Sequence, residues 1–250
     1  MATTEAYELY YWPGIQGRGE PIRLAFEETG TPYVDVTRKP EAEGGGAAAI
    51  MRFIKGDAPG MIPLAPPFLR HGDLVVAQTA NVLAYLAPRL GLVPDDEPSR
   101  LRANQLMLTI MDLIVEAHDV HHPIAPGLYY DDQKDEAMRT APLFLRERMP
   151  KFLGYFERLL SRDGHLVSPA LSYVDLAAFQ VIEGLRYAFP KSMAAFEPRV
   201  PLLTALHEHV AARPRVAAYL ASARRVRFNE RGIFRNYPEL DSAPDPEMRF

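Results

Sequence analysis

The sequence predicts an α/β N-terminal domain followed by an all-α, helical-bundle C-terminal domain. Three observations carry that expectation. Up to residue 90, short β-prone runs alternate with runs of helical period. A stretch of Pro, Gly and acid, "GLVPDDEPS", then interrupts the pattern. Beyond it almost every segment repeats its apolar residues at helical spacing. The expected division is an N-terminal domain at 1–90, a linker at 91–98, a helical domain at 99–223 and a C-terminal tail at 224–250.

The aromatic run at 7–12 predicts the first strand, and "PGIQGRGE" follows it as a Gly-rich loop. Pro21 suits a first helical turn. Ile22, Leu24, Ala25 and Phe26 supply apolar surface, and Gly30 ends that helix. "PYVDV" reads as a second strand, 40–46 as a loop and 47–54 as a short helix. Residues 68–70 and 74–77 flank His71-Gly72, a turn signal, and predict a hairpin. Val82, Leu83, Tyr85 and Leu86 give the next helix one apolar face. Past the linker, helices are expected at 99–121, 136–161, 172–185, 200–212 and 214–223. The tail is first basic, then Pro- and acid-rich, and reads as extended chain lying on the body or partly disordered.

Composition excludes several function classes. The 250 residues suffice for a substantial core. The net charge of −4 gives no basic field for nucleic acid. With no cysteine, a disulfide scaffold and a thiolate nucleophile from this chain are excluded, so thiol chemistry needs a thiol brought by a ligand. The start "MATTEAYELYYW" has neither a basic n-region nor an apolar h-region. No run approaches the ~18 apolar residues of a membrane span. The expectation is a cytoplasmic protein with no nucleic-acid or membrane partner.

One stretch joins two features suited to a ligand. Pro66-Pro67 stands before the β-prone run, and a proline there removes a backbone donor, leaving that strand end unpaired. An extended peptide can pair with such an end, and a cis X-Pro bond would present the preceding residue's backbone to it. Gln78-Thr79 then opens a helix, whose free N–H groups attract a carboxylate. Together they suggest a site for a short peptide with a free carboxylate. The structural alternative is a hairpin with an edge proline and a Thr N-cap.

"DLVVAQTANVLAYLA" resembles the Gln-Ser/Thr signature of the glutathione transferases, and Pro67 falls where that family carries a cis-proline. "YYWPGIQGRGEPIRLAFEETG" resembles the opening of the tyrosine-type classes (alpha, mu, pi, sigma). "LSYVDLAAFQVIEGL" is similar to the capping box of the family's helical domain. The three motifs keep the family's order over most of the chain, and their conjunction identifies it as a bacterial-looking cytosolic member. The resemblance implies a thioredoxin-like first domain and a homodimer. It implies glutathione as co-substrate, no metal, and conjugation of the glutathione thiol to small apolar electrophiles, a detoxification reaction. A glutathione-dependent peroxidase or isomerase, and a non-catalytic binding or structural relative, are the alternatives.

The same resemblance puts the catalytic hydroxyl at Tyr11 and a thiolate-stabilising role at Arg18. Gln78 and Thr79 fall where the γ-glutamyl group is held, and Pro66, before Pro67, where the cysteinyl backbone is met. Arg52 or Lys55 would take the glycyl carboxylate, and Asp119 the glutathione amine across the dimer. Two departures stand out. Pro66 has no N–H, so only its carbonyl can bond the peptide. The loop from tyrosine to Gly-Arg is also one residue longer than usual, which leaves Tyr10 as a rival to Tyr11. A tyrosine suits the task because a free thiol has a pKa of ~8.5 and a donated phenolic O–H stabilises the thiolate.

"EAHDVHHP" places His118, His121 and His122 on one helical face. That is either a metal site or the polar lining of a cleft, and the second is the expectation. Ser172 and Asp175 form a capping box. Arg224, Arg225, Arg227, Arg231 and Arg235 read as a solvated face or a tail clamped on acidic surface. No nucleophile elbow of the G-x-S-x-G kind is present to support a hydrolase.

Overall fold

A computed structural model describes residues 5–160 and 164–241. The N-terminal domain is built on a four-stranded sheet in the order β2-β1-β3-β4. Strand β1 (Tyr7–Tyr10) runs parallel to β2 (Tyr33–Asp35), and α1 (Glu20–Thr29) connects them. Helix α2 (Gly46–Ile54) leads to β3 (Phe68–His71), which is antiparallel to both β1 and β4 (Leu74–Ala77). The hairpin turn is Gly72-Asp73, one residue later than expected, because His71 still pairs with Leu74. Gly72 supplies the positive φ of 61° that a two-residue turn needs. The first strand stops at Tyr10 rather than residue 12, so Tyr11 lies just beyond the ladder.

After α3 (Thr79–Leu90) the chain enters the helical domain through α4 (Glu97–Asp119). Asp96 caps α4 by accepting from Ser99 N at 2.8 Å, so the helix starts before the expected residue 99, with Pro98 in its first turn. The single helix expected over 136–161 is divided. It becomes α5 (Lys134–Leu143), a π-helical stretch (Phe144–Arg148) and α6 (Met149–Leu160), and its residue 161 lies outside the described residues. Pro142 and Pro150 lack the N–H that an unbroken ladder requires. Next come α7 (Tyr173–Ala188), α8 (Pro190–Phe196), α9 (Pro201–Ala211) and α10 (Pro214–Leu220). Helix α8 was not foreseen: at seven residues it is too short to show a period.

The sheet has two buried faces. On one, Tyr10, Phe68 and Val75 pack with Ile50 and Phe53 of α2. On the other, Leu9, Leu69 and Val76 meet α1 and α3, and this core continues without a break into α4, α6, α7 and α9. The capping box forms as expected. The fully buried Asp175 carboxylate accepts from Ser172 N at 2.7 Å, Ser172 Oγ at 2.8 Å and Leu166 N at 2.9 Å.

Residues 224–241 are irregular chain with turns and bends at 230–234 and 238–240, seated on the body rather than extended as expected. Phe228 stacks on Tyr187 with ring centroids 5.0 Å apart. Phe234 lies so close to Gly184 that a Cβ there would come within 2.2 Å of its ring. Asp241 caps α8, accepting from Lys191 N at 2.7 Å and Ser192 N at 3.0 Å. The rest of the expected tail, 242–250, lies outside the described residues. Among the described residues no helix is long and apolar enough to cross a membrane.

Candidate active site

Tyr10 and Tyr11 part to opposite sides, as successive residues of an extended chain must. Tyr10 stacks on Phe68 at 4.6 Å and meets Phe53 at 5.1 Å, and its hydroxyl donates to Glu8 Oε2 at 3.2 Å. Tyr11 turns to the Gly-rich loop. Its hydroxyl oxygen accepts the Arg18 N–H at 2.9 Å, and its carbonyl accepts from Thr37 Oγ1 at 2.5 Å. Burial pushes the phenol's pKa up, and the Arg18 amide with the charges of Arg18 and Arg23 pulls it back. Tyr11 is thus a neutral phenol whose oxygen already accepts one bond, leaving its own proton to donate.

Glycines explain how the loop gets so near. A Cβ on Gly17 would sit 2.1 Å from the Tyr11 hydroxyl, and one on Gly19 would sit 2.7 Å from the ring. Gly17 also has a φ of 45°, whereas the backbone of Gly19 suits any residue. Gly19→Ala is therefore a purely steric test: it pushes the ring aside without straining the loop. A fall of at least tenfold in turnover, with the fold retained, is the expected result of steady-state kinetics.

The loop is bolted to the rest of the protein. Arg23 bonds Glu20 at 3.0 Å and Asp35 at 2.7 Å, and Glu20 also receives Tyr219 Oη at 2.6 Å and Arg225 at 2.5 Å. Both Glu20 and Arg23 are buried. Gln16 donates to Val226 O at 2.5 Å and accepts from Gln180 at 2.7 Å, tying the loop to the C-terminal segment and to α7. Breaking one partner of such a buried network costs more than the network adds, so it fixes geometry rather than supplying stability.

Across the loop lies the start of α3. The Pro66-Pro67 bond is cis, and Pro67 O accepts the Gln78 N–H at 3.2 Å. Gln78 has φ 74° and ψ 125°, and it alone among the described non-glycine residues has positive φ. Such a backbone costs on the order of 1–3 kcal/mol and persists where the surroundings over-determine it. The helix N-cap is Gln78, not Thr79. Thr79 Oγ1 instead donates to Arg18 O at 2.9 Å, so one side chain locks the helix start to the tyrosine loop. The first amides of α3 have no intrahelical acceptor and are available to a carboxylate. The structure thus brings Tyr11, Arg18, Pro67, Gln78 and Thr79 together. Arg52 is exposed and lines a hollow with Tyr10, Phe53 and Arg70. Lys55 is exposed at the end of α2.

The end of α4 holds the histidines. Their ligating nitrogens all lie within 4.8 Å of one another. His121 Nε2 is 2.7 Å from Ile233 O, an acceptor only, so Nε2 carries the proton and Nδ1 does not. His122 Nδ1, 2.5 Å from His121 Nδ1, must then be the donor, and its Nε2 faces the Arg235 guanidinium at 3.5 Å. Burial lowers the pKa of His121 to about 3 and, with Arg235, that of His122 to about 4. His118 is lowered by burial against the pull of Asp119, whose Oδ1 is 3.3 Å away. Asp119 itself is exposed at the helix end. No local signal points to Arg235 here, because the tail's path over α4 is a tertiary feature.

Solved structures share this arrangement of domains. A pi-class glutathione S-transferase of Onchocerca volvulus superposes with a TM-score of 0.65 at 22% identity, covering 86% of this chain and 92% of that one. Prostaglandin synthase D of Nilaparvata lugens superposes with a TM-score of 0.65 at 19% identity, covering 87% and 98%. The fold is that of the glutathione S-transferases. Residues 118–223 match the family model "Glutathione S-transferase, C-terminal domain". A glutathione S-transferase of Plasmodium falciparum is 26% identical over 223 residues, 86% of this chain and 94% of that one. Glutathione S-transferase P 1 of Xenopus laevis is 27% identical over 221 residues, covering 86% and 92%. Glutathione S-transferase Mu 1 of Mus musculus is 26% identical over 234 residues. These relatives are eukaryotic and lend no support to a bacterial-looking origin. The glutathione S-transferase fold also accounts for the thioredoxin-like sheet and the helical second domain.

Proposed function

We infer that the protein is a glutathione S-transferase of the tyrosine type, conjugating the glutathione thiol to small electrophiles. The observation that carries this is the Tyr11 hydroxyl, which accepts the Arg18 N–H at 2.9 Å and keeps its own proton for a ligand. Donated to the glutathione sulfur, that proton stabilises the thiolate, and the Arg18 charge adds to it. The γ-glutamyl carboxylate takes the amides at the start of α3, beside Gln78 and Thr79. The Pro66 carbonyl accepts the cysteinyl N–H. Sulfur then attacks an electrophilic carbon. A C–S bond forms, and a leaving group departs with its electron pair, or the π electrons of an activated alkene take up a proton. Glutathione resin tests the reading: the protein should be retained and eluted by free glutathione. No retention, with no calorimetric heat at millimolar glutathione, would contradict it.

We further propose a cytoplasmic homodimer with a detoxifying role. Leu101, Leu108 and Val115 recur every seven residues on α4 and stay exposed, as do Met61, Ile62 and Leu64 in the loop before β3. Exposed apolar stripes of this kind mark interfaces. Light scattering should give twice the 28.1 kDa chain mass at micromolar concentration; the monomer mass would overturn the dimer and any cross-subunit role for Asp119. No resident metal is assigned to the histidines, whose facing lone pair is already taken by a neighbour's N–H.

A further inference from the structure

The C-terminal segment brings a second guanidinium to the cleft beside Tyr11. Arg235, anchored through Nε to Gly232 O at 2.9 Å, reaches His122 from one side. Gly17, the neighbour of Arg18, lines one hollow with Gly232, Ile233 and Phe234, the residues that lead into Arg235, so the segment runs alongside the tyrosine loop. Neither arginine has a carboxylate partner among the described ion pairs, although the arginines nearby at 23, 213, 224 and 225 all do. The Arg18 Nε atom is buried with no hydrogen-bond partner. A buried, unpaired charged donor is costly unless something pairs with it.

Around the histidines, Arg18 comes from the tyrosine loop, Arg235 from the C-terminal segment and the exposed Asp119 from α4, while His121 and His122 are neutral at pH 7. A divalent cation would meet two guanidiniums and a closed chain of hydrogen bonds; an anion would find the Arg18 Nε donor without a partner.

We propose that Arg18, Arg235 and His118 form an anion receptor beside the glutathione thiol, so that the preferred co-substrate is an electrophile carrying a carboxylate. This rests on the glutathione reading for its chemistry. It narrows the expectation of an apolar electrophile: the reacting carbon is apolar, and the far end of the molecule is charged. Arg235 is a specificity residue in this scheme and takes no part in the bond-making step.

Two matched enones test it: 4-(3-oxobut-1-enyl)benzoate and its methyl ester. In both, sulfur adds to the β-carbon, the alkene electrons shift to the ketone oxygen, and water returns a proton to the α-carbon. Rates are divided by the uncatalysed rate with glutathione. The carboxylate should be favoured in kcat/KM by about 10–100-fold, the range for a charge-assisted hydrogen bond. That ratio should fall toward one in Arg235→Gln and be largely kept in Arg235→Lys, which also guards against a folding defect. A preference for the ester, or a ratio unmoved by Arg235→Gln, would overturn the proposal. If neither enone reacts, the conjugation reading fails, and calorimetry with the benzoate in saturating S-methylglutathione still decides the receptor. Heat that is present in the wild type and lost in Arg235→Gln supports it. No heat, or displacement of the benzoate by S-methylglutathione, overturns it and assigns the cations to glutathione's own carboxylates.

Discussion

Tyr11→Phe is expected to lower turnover at neutral pH by about 10²–10³-fold, the usual effect of removing one anion-stabilising donor. The ring stays wedged against Gly17 and Gly19, so the loop keeps its shape and only the hydroxyl is lost. The pKa of bound glutathione should rise toward the ~8.5 of a free thiol, and the rate loss should shrink as pH is raised past that value. Glutathione affinity should change little, because the peptide's contacts lie at Pro66 and the start of α3. Tyr10→Phe is the control. Its hydroxyl bonds Glu8 on the α2 side of the sheet, away from the Gly-rich loop, so it should affect stability alone. The check is the pH dependence of thiolate absorbance and conjugation rate for both variants. A thiol pKa that moves in Tyr10→Phe and not in Tyr11→Phe would shift the assignment by one residue.

The largest stability effect is expected from Asp175→Ala. The carboxylate sits fully buried and satisfies two backbone N–H groups, of Leu166 and Ser172, and one hydroxyl. Removing it strands those donors, each at roughly 1–3 kcal/mol, for a total of about 3–5 kcal/mol. Ser172→Ala removes one hydroxyl but leaves both N–H groups bonded, so about 0.5–2 kcal/mol is expected. Denaturant unfolding monitored by circular dichroism compares the two. Equal losses would mean that the carboxylate acts only as a helix cap and does not hold the 166 loop.

Much of this was legible in the sequence because the signals were local. The hairpin, the cap at Ser172 and the pairing of Pro67 with Gln78 each depend on residues close together in the chain. That Tyr10 and Tyr11 face opposite sides also follows from alternation. What the sequence hid was long-range. Helix α8 is too short to show a period, and the break at 144–148 depends on how two prolines are spaced in an otherwise helical run. The tail looked like surplus charge, yet Arg225 closes a buried pair with Glu20, more than two hundred residues away, and Arg235 reaches the histidines. The left-handed backbone of Gln78 had no signature either, since nothing in its residue type asks for positive φ.

Arg52 and Lys55 are exposed on α2 and at its end, where a ligand could reach them, and their contact with the glycyl carboxylate of glutathione remains a proposal. Arg18 and the amides of α3 remain the cationic and N–H donors on the Tyr11 side.

The most direct measurement is a crystal structure with glutathione soaked in. The sulfur should lie within hydrogen-bond distance of the Tyr11 hydroxyl, with Arg18 N still bonded to the same oxygen and the γ-glutamyl carboxylate on the first amides of α3. Glutathione bound elsewhere, or a sulfur whose nearest donor is any group other than Tyr11, would contradict the assignment of Tyr11 as the residue that activates the thiol.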